Sequence, residues 1–170
     1  CISGDAASGK TTAARKVAAR LPGWQIVSTG QRFREYCRER GIDPQQISHL
    51  GDELHREADE RMRRELAEGR HLIAAARLVG YLARDMDDAL RVFCDCPLEI
   101  RAQRFQGREP GYSLEDSLAR VAERDRADTE NLRHLYGIDY HDSQYYHLVV
   151  DTSVMDPDEV AETIVRAVQE

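Results

Sequence analysis

The sequence has no apolar run of about 18 residues or more, so no segment of it reads as a membrane span. It also lacks a basic excess. Its 24 lysines and arginines face 31 aspartates and glutamates, giving a net charge of −7 and a pI near 5.4. That sign argues against wholesale binding to a nucleic acid polymer or an anionic membrane. No C-x-x-C pair occurs among Cys1, Cys37, Cys94 and Cys96. Cys94 and Cys96 in one strand would point to one face with no second pair to complete a metal site, so reduced, buried thiols are expected. Internal repeats, low-complexity tracts, linkers and a signal peptide are likewise missing, and a monomer in the cytoplasm is expected. "CISG" reads as the end of a strand, which predicts a short leading segment ahead of Cys1.

The 170 residues suffice for one domain with a real core. "CISG", "WQIVS", "HLIAAA", "RVFCDC" and "HLVVD" read as strands, and amphipathic helical segments alternate with them. "TGQRFREYCRER" is predicted helical up to Gly41, and Asp43, Pro44 and Gln46 form a helix start. A long helix is predicted from Gly51 to Glu68. "PLEIRAQRFQ" is another, and "SLEDSLARVAERDRADTENLRHLYG" a third, opened by a capping box at Ser113 and Asp116. "DPDEVAETIVRAVQ" closes the chain as a helix. Such alternation indicates βαβ units and a mostly parallel sheet. "QGREPGYS", residues 106 to 113, is the candidate mobile loop.

"GDAASGKTT", residues 4 to 12, matches G-x-x-x-x-G-K-[ST] between a strand and a helix, the context that this motif requires. Gly4 and Gly9 let the backbone curl so that the N–H groups of Asp5, Ala6, Ala7 and Ser8 face phosphate oxygens. The helix that begins near Lys10, Thr11 and Thr12 adds its positive end. In this reading Lys10 spans the β- and γ-phosphates of ATP, and the Thr11 hydroxyl ligates Mg²⁺.

Phosphoryl transfer depends on neutralising charge around the moving group. Arg101, Arg104 and Arg108 precede and enter the 106–113 loop, and Arg120 and Arg124 lie on the helix that leaves it. Spacings of three and four put the first three on one helical face. A solvated salt-bridge face is the bland alternative, because Glu115, Asp116, Glu123 and Asp125 are nearby. The cluster beside a Gly/Pro loop favours a lid that closes over phosphates.

Together, "ISGDAASGKTT", "STGQRFRE", "ARLVG", "PLEIRAQR", "AERDRAD", "LYGID" and "YYHLVVDTS" make the chain resemble the cytidylate kinases, in particular their short archaeal-type form, within the P-loop nucleoside monophosphate kinases. The resemblance covers essentially the whole chain. It implies an α/β fold of the P-loop NTPase type, a three-layer sandwich with a five-stranded parallel sheet. Residues 1–170 would form a single P-loop kinase domain, with a helical substrate-binding insert over about 30–70 and a small lid over about 104–124. The implied activity is transfer of the ATP γ-phosphate to CMP or dCMP with Mg²⁺, so the partners are small nucleotides. By position, Ser28, Gly30 and Arg34 would line the monophosphate site and Arg77 would grip the acceptor phosphate. Arg104, Arg108 and Arg124, with Lys10, would stabilise the transferred group, and Asp128 would orient neighbouring arginines. Arg34 and Arg77 also suit this role on chemistry alone, because a planar fork matches a phosphate dianion.

Three positions depart from that family's pattern. Ala75 stands where relatives usually carry a carboxylate that organises water around Mg²⁺. Asn131 replaces an arginine that reaches the acceptor phosphate; Arg133, two residues along a helix, points some 200° away. Met62 occupies a place that is often polar where the base is read, leaving Asp59 and Arg61 for hydrogen bonds to a base edge. Each lost contact costs on the order of 1–3 kcal/mol, or roughly 5- to 150-fold in rate or affinity. Three readings follow: a kinase for CMP or dCMP, a P-loop kinase with a different small-molecule acceptor, and a weakened nucleotide-binding regulatory domain.

Overall fold

Val92 and Cys94 are buried on one side of their strand and Phe93 on the other, so the strand is covered by side chains from both faces. The computed structural model describes residues 1–27, 29–42 and 51–170, with the backbone alone for residues 29, 31 and 34. The elements run β1 (Ile2–Gly4), α1 (Lys10–Arg20), β2 (Gln25–Val27), α2 (Thr29–Glu39), α3 (Asp52–Glu68), β3 (Leu72–Ala74) and α4 (Val79–Leu82). They continue with β4 (Val92–Asp95), α5 (Leu98–Arg108), α6 (Leu114–Tyr136), β5 (Leu148–Asp151) and α7 (Pro157–Gln169). The helix start expected at Asp43, Pro44 and Gln46 lies outside the described residues.

All strand pairs are parallel. The expected single five-stranded sheet is not what forms. Three strands pair in the order β1–β4–β5, and β2 pairs with β3 as a separate ladder. Among the described residues the two groups meet at one isolated bridge, between Ile2 and Ala75, where the Ala76 amide donates to the Ile2 carbonyl at 3.2 Å. The strands here are only three residues long, and that bridge sets Ala74 beside Cys1, so the contact never extends into a ladder.

On one face, Ala13, Ala14 and Val17 of α1 and Val160, Ala161 and Ile164 of α7 pack on Ile2, Val92, Cys94 and Val150. On the other, Met62, Leu78, Val79, Leu82, Leu132, Ile138 and Tyr140 pack on Val27, Ala74 and Phe93. Met62 thus belongs to the core. Among the described residues no helix is long and apolar enough to cross a membrane. Cys37, Cys94 and Cys96 are buried, Cys1 is half-buried, and all four are free thiols.

The caps are local. The Ser113 hydroxyl accepts from the Asp116 amide, and Asp156 with Glu159 forms a full capping box ahead of Pro157. The 106–113 loop is shorter than its composition predicts, because α5 runs on to Arg108. What remains is pinned by Gln106 Nε2 donating to the Tyr112 carbonyl at 3.2 Å and by Arg120 over the Tyr112 ring at 4.2 Å.

Candidate functional site

The loop from Gly4 to Gly9 leaves β1 under tight steric control. Gly4 adopts φ 150°, and a Cβ there would lie 2.5 Å from Ser8 Oγ and 2.7 Å from the Cys94 carbonyl oxygen. Ala7 (φ 62°) and Gly9 (φ 93°) are left-handed, which curls the loop back on itself ahead of α1. Lys10 Nζ folds over it and donates to the Asp5 carbonyl at 2.7 Å. Burial, reinforced by repulsion from Arg77, lowers the Lys10 pKa to about 8. The amides of Lys10, Thr11 and Thr12 at the start of α1 have no intrahelical acceptors, and Ser8 Oγ is buried without a partner among the described residues. Narrow curvature, orphaned donors and a held-in ammonium fit a bound polyphosphate.

Lys10 and Thr11 open on a cleft of about 670 Å³. Its lining includes Ala75, Ala76 and Arg77 from just after β3, Arg108 of α5, Asp59 of α3, and Arg120, Arg124, Asp128 and Asn131 of α6. This brings together nine of the predicted site residues: Ala6, Ala7, Lys10, Thr11, Asp59, Arg77, Arg108, Arg124 and Asp128. Arg77 comes from the turn after β3 and is largely buried. It pairs with Asp128 and, at 3.4 Å, with Asp125, and lies 5.7 Å from the centre of the Tyr140 ring. Arg124 is well exposed and lies 3.9 Å from Asp128. Arg133 is exposed and does not line the cleft.

The three arginines of α5 do not act as one face. Arg101 is buried: its Nε donates to the Cys96 carbonyl at 2.9 Å and its NH1 to the Ala6 carbonyl at 3.2 Å. Arg104 donates from NH1 to Thr152 Oγ1 at 3.0 Å and from NH2 to the Thr152 carbonyl, while Thr152 Oγ1 donates to the Ser8 carbonyl at 2.7 Å. It therefore stands behind the loop, beside a pocket lined by Gly9, Thr12, Thr152 and Pro157. Only Arg108 of the three lines the main cleft.

Of the residues expected around the acceptor, Asp59 lines the cleft. Burial raises its carboxyl pKa, against a 2.6 Å hydrogen bond from the Tyr136 hydroxyl. Arg61 instead faces outward and pairs with Glu39. Gly30 is exposed and lies in the first turn of α2. Ser28 and the Arg34 side chain lie outside the described residues. Asp95 is exposed and is not part of the cleft lining, so it does not stand in for the carboxylate missing at Ala75.

Sequence reasoning missed a cluster behind the loop. The Asp5 carboxylate accepts from the Tyr140 hydroxyl and contacts His141 Nε2 at 3.1 Å, and His141 Nδ1 contacts Asp139 at 3.0 Å. Although burial opposes ionisation, the hydrogen bonds from His141 and Tyr140 and the charges of His141 and Arg101 hold the Asp5 pKa down to about 2. The same contacts raise that of His141. The partners lie 135 and 136 positions from Asp5, so no local spacing could reveal them. The oxygen groups that line the cleft and could contact a hard cation include the Thr11 hydroxyl and the Asp59, Glu109 and Asp128 carboxylates. Among the described residues no group of three His, Cys, Asp or Glu side chains could hold a metal alone. Oxygen donors of this kind suit Mg²⁺, which takes few protein ligands beside phosphates and water.

Residues 1–154 match the model of the cytidylate kinase-like family. A cytidylate kinase of Pyrococcus furiosus is 35% identical over 170 residues, covering 98% of this chain and 86% of the relative. One from Pyrococcus abyssi is 34% identical, covering 98% and 91%, and one from Natronomonas pharaonis is 34% identical, covering 98% and 87%. Among solved structures, an uncharacterised protein of Eubacterium ventriosum superposes with a TM-score of 0.78 at 15% identity, covering 99% and 96% of the two chains. A shikimate kinase of Acinetobacter baumannii in complex with shikimate superposes at 0.64 and 19% identity, covering 99% and 90%. At these identities, the two structures speak for the fold alone.

Proposed function

The chain belongs to the cytidylate kinase-like family, and from that premise we propose that it transfers the γ-phosphate of ATP to CMP or dCMP. The observation that carries this reading is that Lys10 and Thr11 of the glycine loop face Arg77, Arg108 and Arg124 across one cleft. The cytidylate kinase names of the archaeal relatives support this acceptor over the other two readings.

In this proposal the loop amides and Lys10 hold the donor's β- and γ-phosphates, and the Arg77 fork holds the acceptor phosphate with Asp128 setting its orientation. An acceptor phosphate oxygen attacks the γ-phosphorus, and the bond to the β,γ-bridging oxygen breaks, releasing ADP. No general base is needed, because a monophosphate is largely dianionic near neutral pH. Lys10, Arg108 and Arg124 offset the charge on the moving group. Arg104, tied to Thr152, would have to leave that partner to join them. Mg²⁺ next to the Thr11 hydroxyl would supply further neutralisation of the donor phosphates.

Asp59 is proposed to accept a hydrogen bond from the base. Ser28, Gly30 and Arg34 are proposed for the monophosphate, with Arg61 as a further candidate for the base edge. Residues 30–70 would act as the substrate-binding insert and 104–124 as the lid of a single domain. A coupled ADP-release assay across nucleoside monophosphates tests the reading. Turnover is expected with CMP or dCMP ahead of UMP, AMP and GMP; turnover on none of them would overturn it.

A further inference from the structure

The glycine loop and Arg77 are joined by a closed ring of five side chains, each from a different part of the chain. Asp5 of the loop lies 3.8 Å from Arg101 NH2 of α5. Arg101 NH1 donates to Asp125 Oδ2 of α6 at 2.6 Å. The other oxygen of that carboxylate, Oδ1, meets Arg77 NH2 at 3.4 Å. Arg77 lies over the Tyr140 ring, and the Tyr140 hydroxyl returns to Asp5. Arg101 and Tyr140 are buried, and Arg77, Asp5 and Asp125 are each less than a fifth exposed, so the ring is shielded from screening. Two carboxylates balance two guanidinium groups within it. Removing one member would leave a partner charge uncompensated.

Asp125 is the element that matters most, because its two oxygens divide between the donor side and the acceptor side. Arg101, which it holds, also donates to the Ala6 carbonyl within the loop. Arg77, which it also holds, lines the cleft, whereas Asp125 does not. We propose that Asp125 is a positioning residue that couples the donor loop to the acceptor arginine, so that filling one phosphate site tightens the other. When an acceptor phosphate draws the Arg77 fork away, the Asp125 charge falls wholly on Arg101. Arg101 in turn secures the loop at Ala6. This inference rests on the reading of the cleft as a donor-and-acceptor site.

The test compares the wild type with Asp125→Asn. Asparagine keeps the size but offers one acceptor oxygen and turns an NH₂ toward the second guanidinium. Calorimetry measures the affinity for a non-hydrolysable ATP analogue with and without CMP. In the wild type CMP should tighten the analogue several-fold. In Asp125→Asn, analogue affinity without CMP should fall at least about fivefold, and the tightening by CMP should shrink to within about twofold of none. Either quantity staying at its wild-type value, or no tightening in the wild type, overturns the proposal. A purely structural role would lower the melting temperature and leave the coupling unchanged. Should Asp125→Asn not fold, Arg101→Lys keeps the charge but replaces the fork that meets Asp125 and Ala6 with a single nitrogen, and the same loss of coupling is expected. Titration of CMP alone separates the two failures: a wild type that does not bind CMP defeats the acceptor reading and the coupling with it, whereas one that binds both ligands without tightening overturns the coupling only.

Discussion

Ala75 is bridged to Ile2, so the alanine run that ends β3 is held against the strand that enters the glycine loop. Ala75 also lines the cleft beside Lys10 and Thr11. A carboxylate at this position would therefore face the donor phosphates. Ala75→Asp is expected to lower the Mg²⁺ concentration for half-maximal activity by about tenfold, the effect of one charge-assisted contact, and to raise the rate. A Mg²⁺ titration of the ADP-release assay checks this; an unchanged midpoint would mean that the metal is organised without that position.

Lys10 sets a pH limit on donor binding. In the proposed function its ammonium holds phosphate, and its pKa in the free protein is lowered to about 8 by burial first and by Arg77 second. The group is charged below that pH and neutral above it. Affinity for the ATP analogue should stay level up to about pH 7.5 and then fall, approaching tenfold per pH unit well above pH 8. Lys10→Arg, charged throughout, should flatten the profile even if its overall affinity is lower.

Arg77 must hold Asp128 and Asp125 and still present donors to a phosphate. A planar fork can do so; an ammonium is a single point charge. Arg77→Lys is expected to raise the KM for CMP roughly 10- to 100-fold, about 1.4–2.7 kcal/mol, with a much smaller change in the KM for ATP. Steady-state kinetics with each substrate varied in turn separates the two.

Asp59 bears on base choice. It receives a hydrogen bond from Tyr136 and retains acceptor capacity toward the cleft. An ionised carboxylate favours the amino group of cytosine and repels the carbonyl of uracil. Asp59→Asn should reduce the ratio of kcat/KM for CMP over UMP by about tenfold or more, the scale of one mispaired polar group. A ratio equal to that of the wild type would place base reading elsewhere.

The curled glycine loop between β1 and α1 was legible in the sequence because its parts are contiguous. Gly4, Gly9, Lys10 and Thr11 are fixed by a strand, a tight turn and a helix start, and those depend on neighbours a few positions away. The order of strands and helices was legible for the same reason, since apolar alternation and the caps at Ser113 and Asp156 are local signals. Arg101, Arg104 and Arg108 mark the boundary of this kind of inference. Their spacing on α5 was correct, yet one supports the loop at Ala6, one binds Thr152 and one faces the cleft.

What tertiary structure alone decided was which charges meet. Asp5 finds Tyr140 and His141 across more than 130 positions, Asp125 divides itself between Arg101 and Arg77, and Met62 turns into the core. Likewise, five strands were expected in one sheet, and they form ladders of three and two that meet at the bridge between Ile2 and Ala75. Sequence determines the local backbone geometry and which residue types are available to bind phosphate. Partnership between distant side chains depends on the packing of whole helices and strands, because only burial brings those charges within reach and makes their pairing strong.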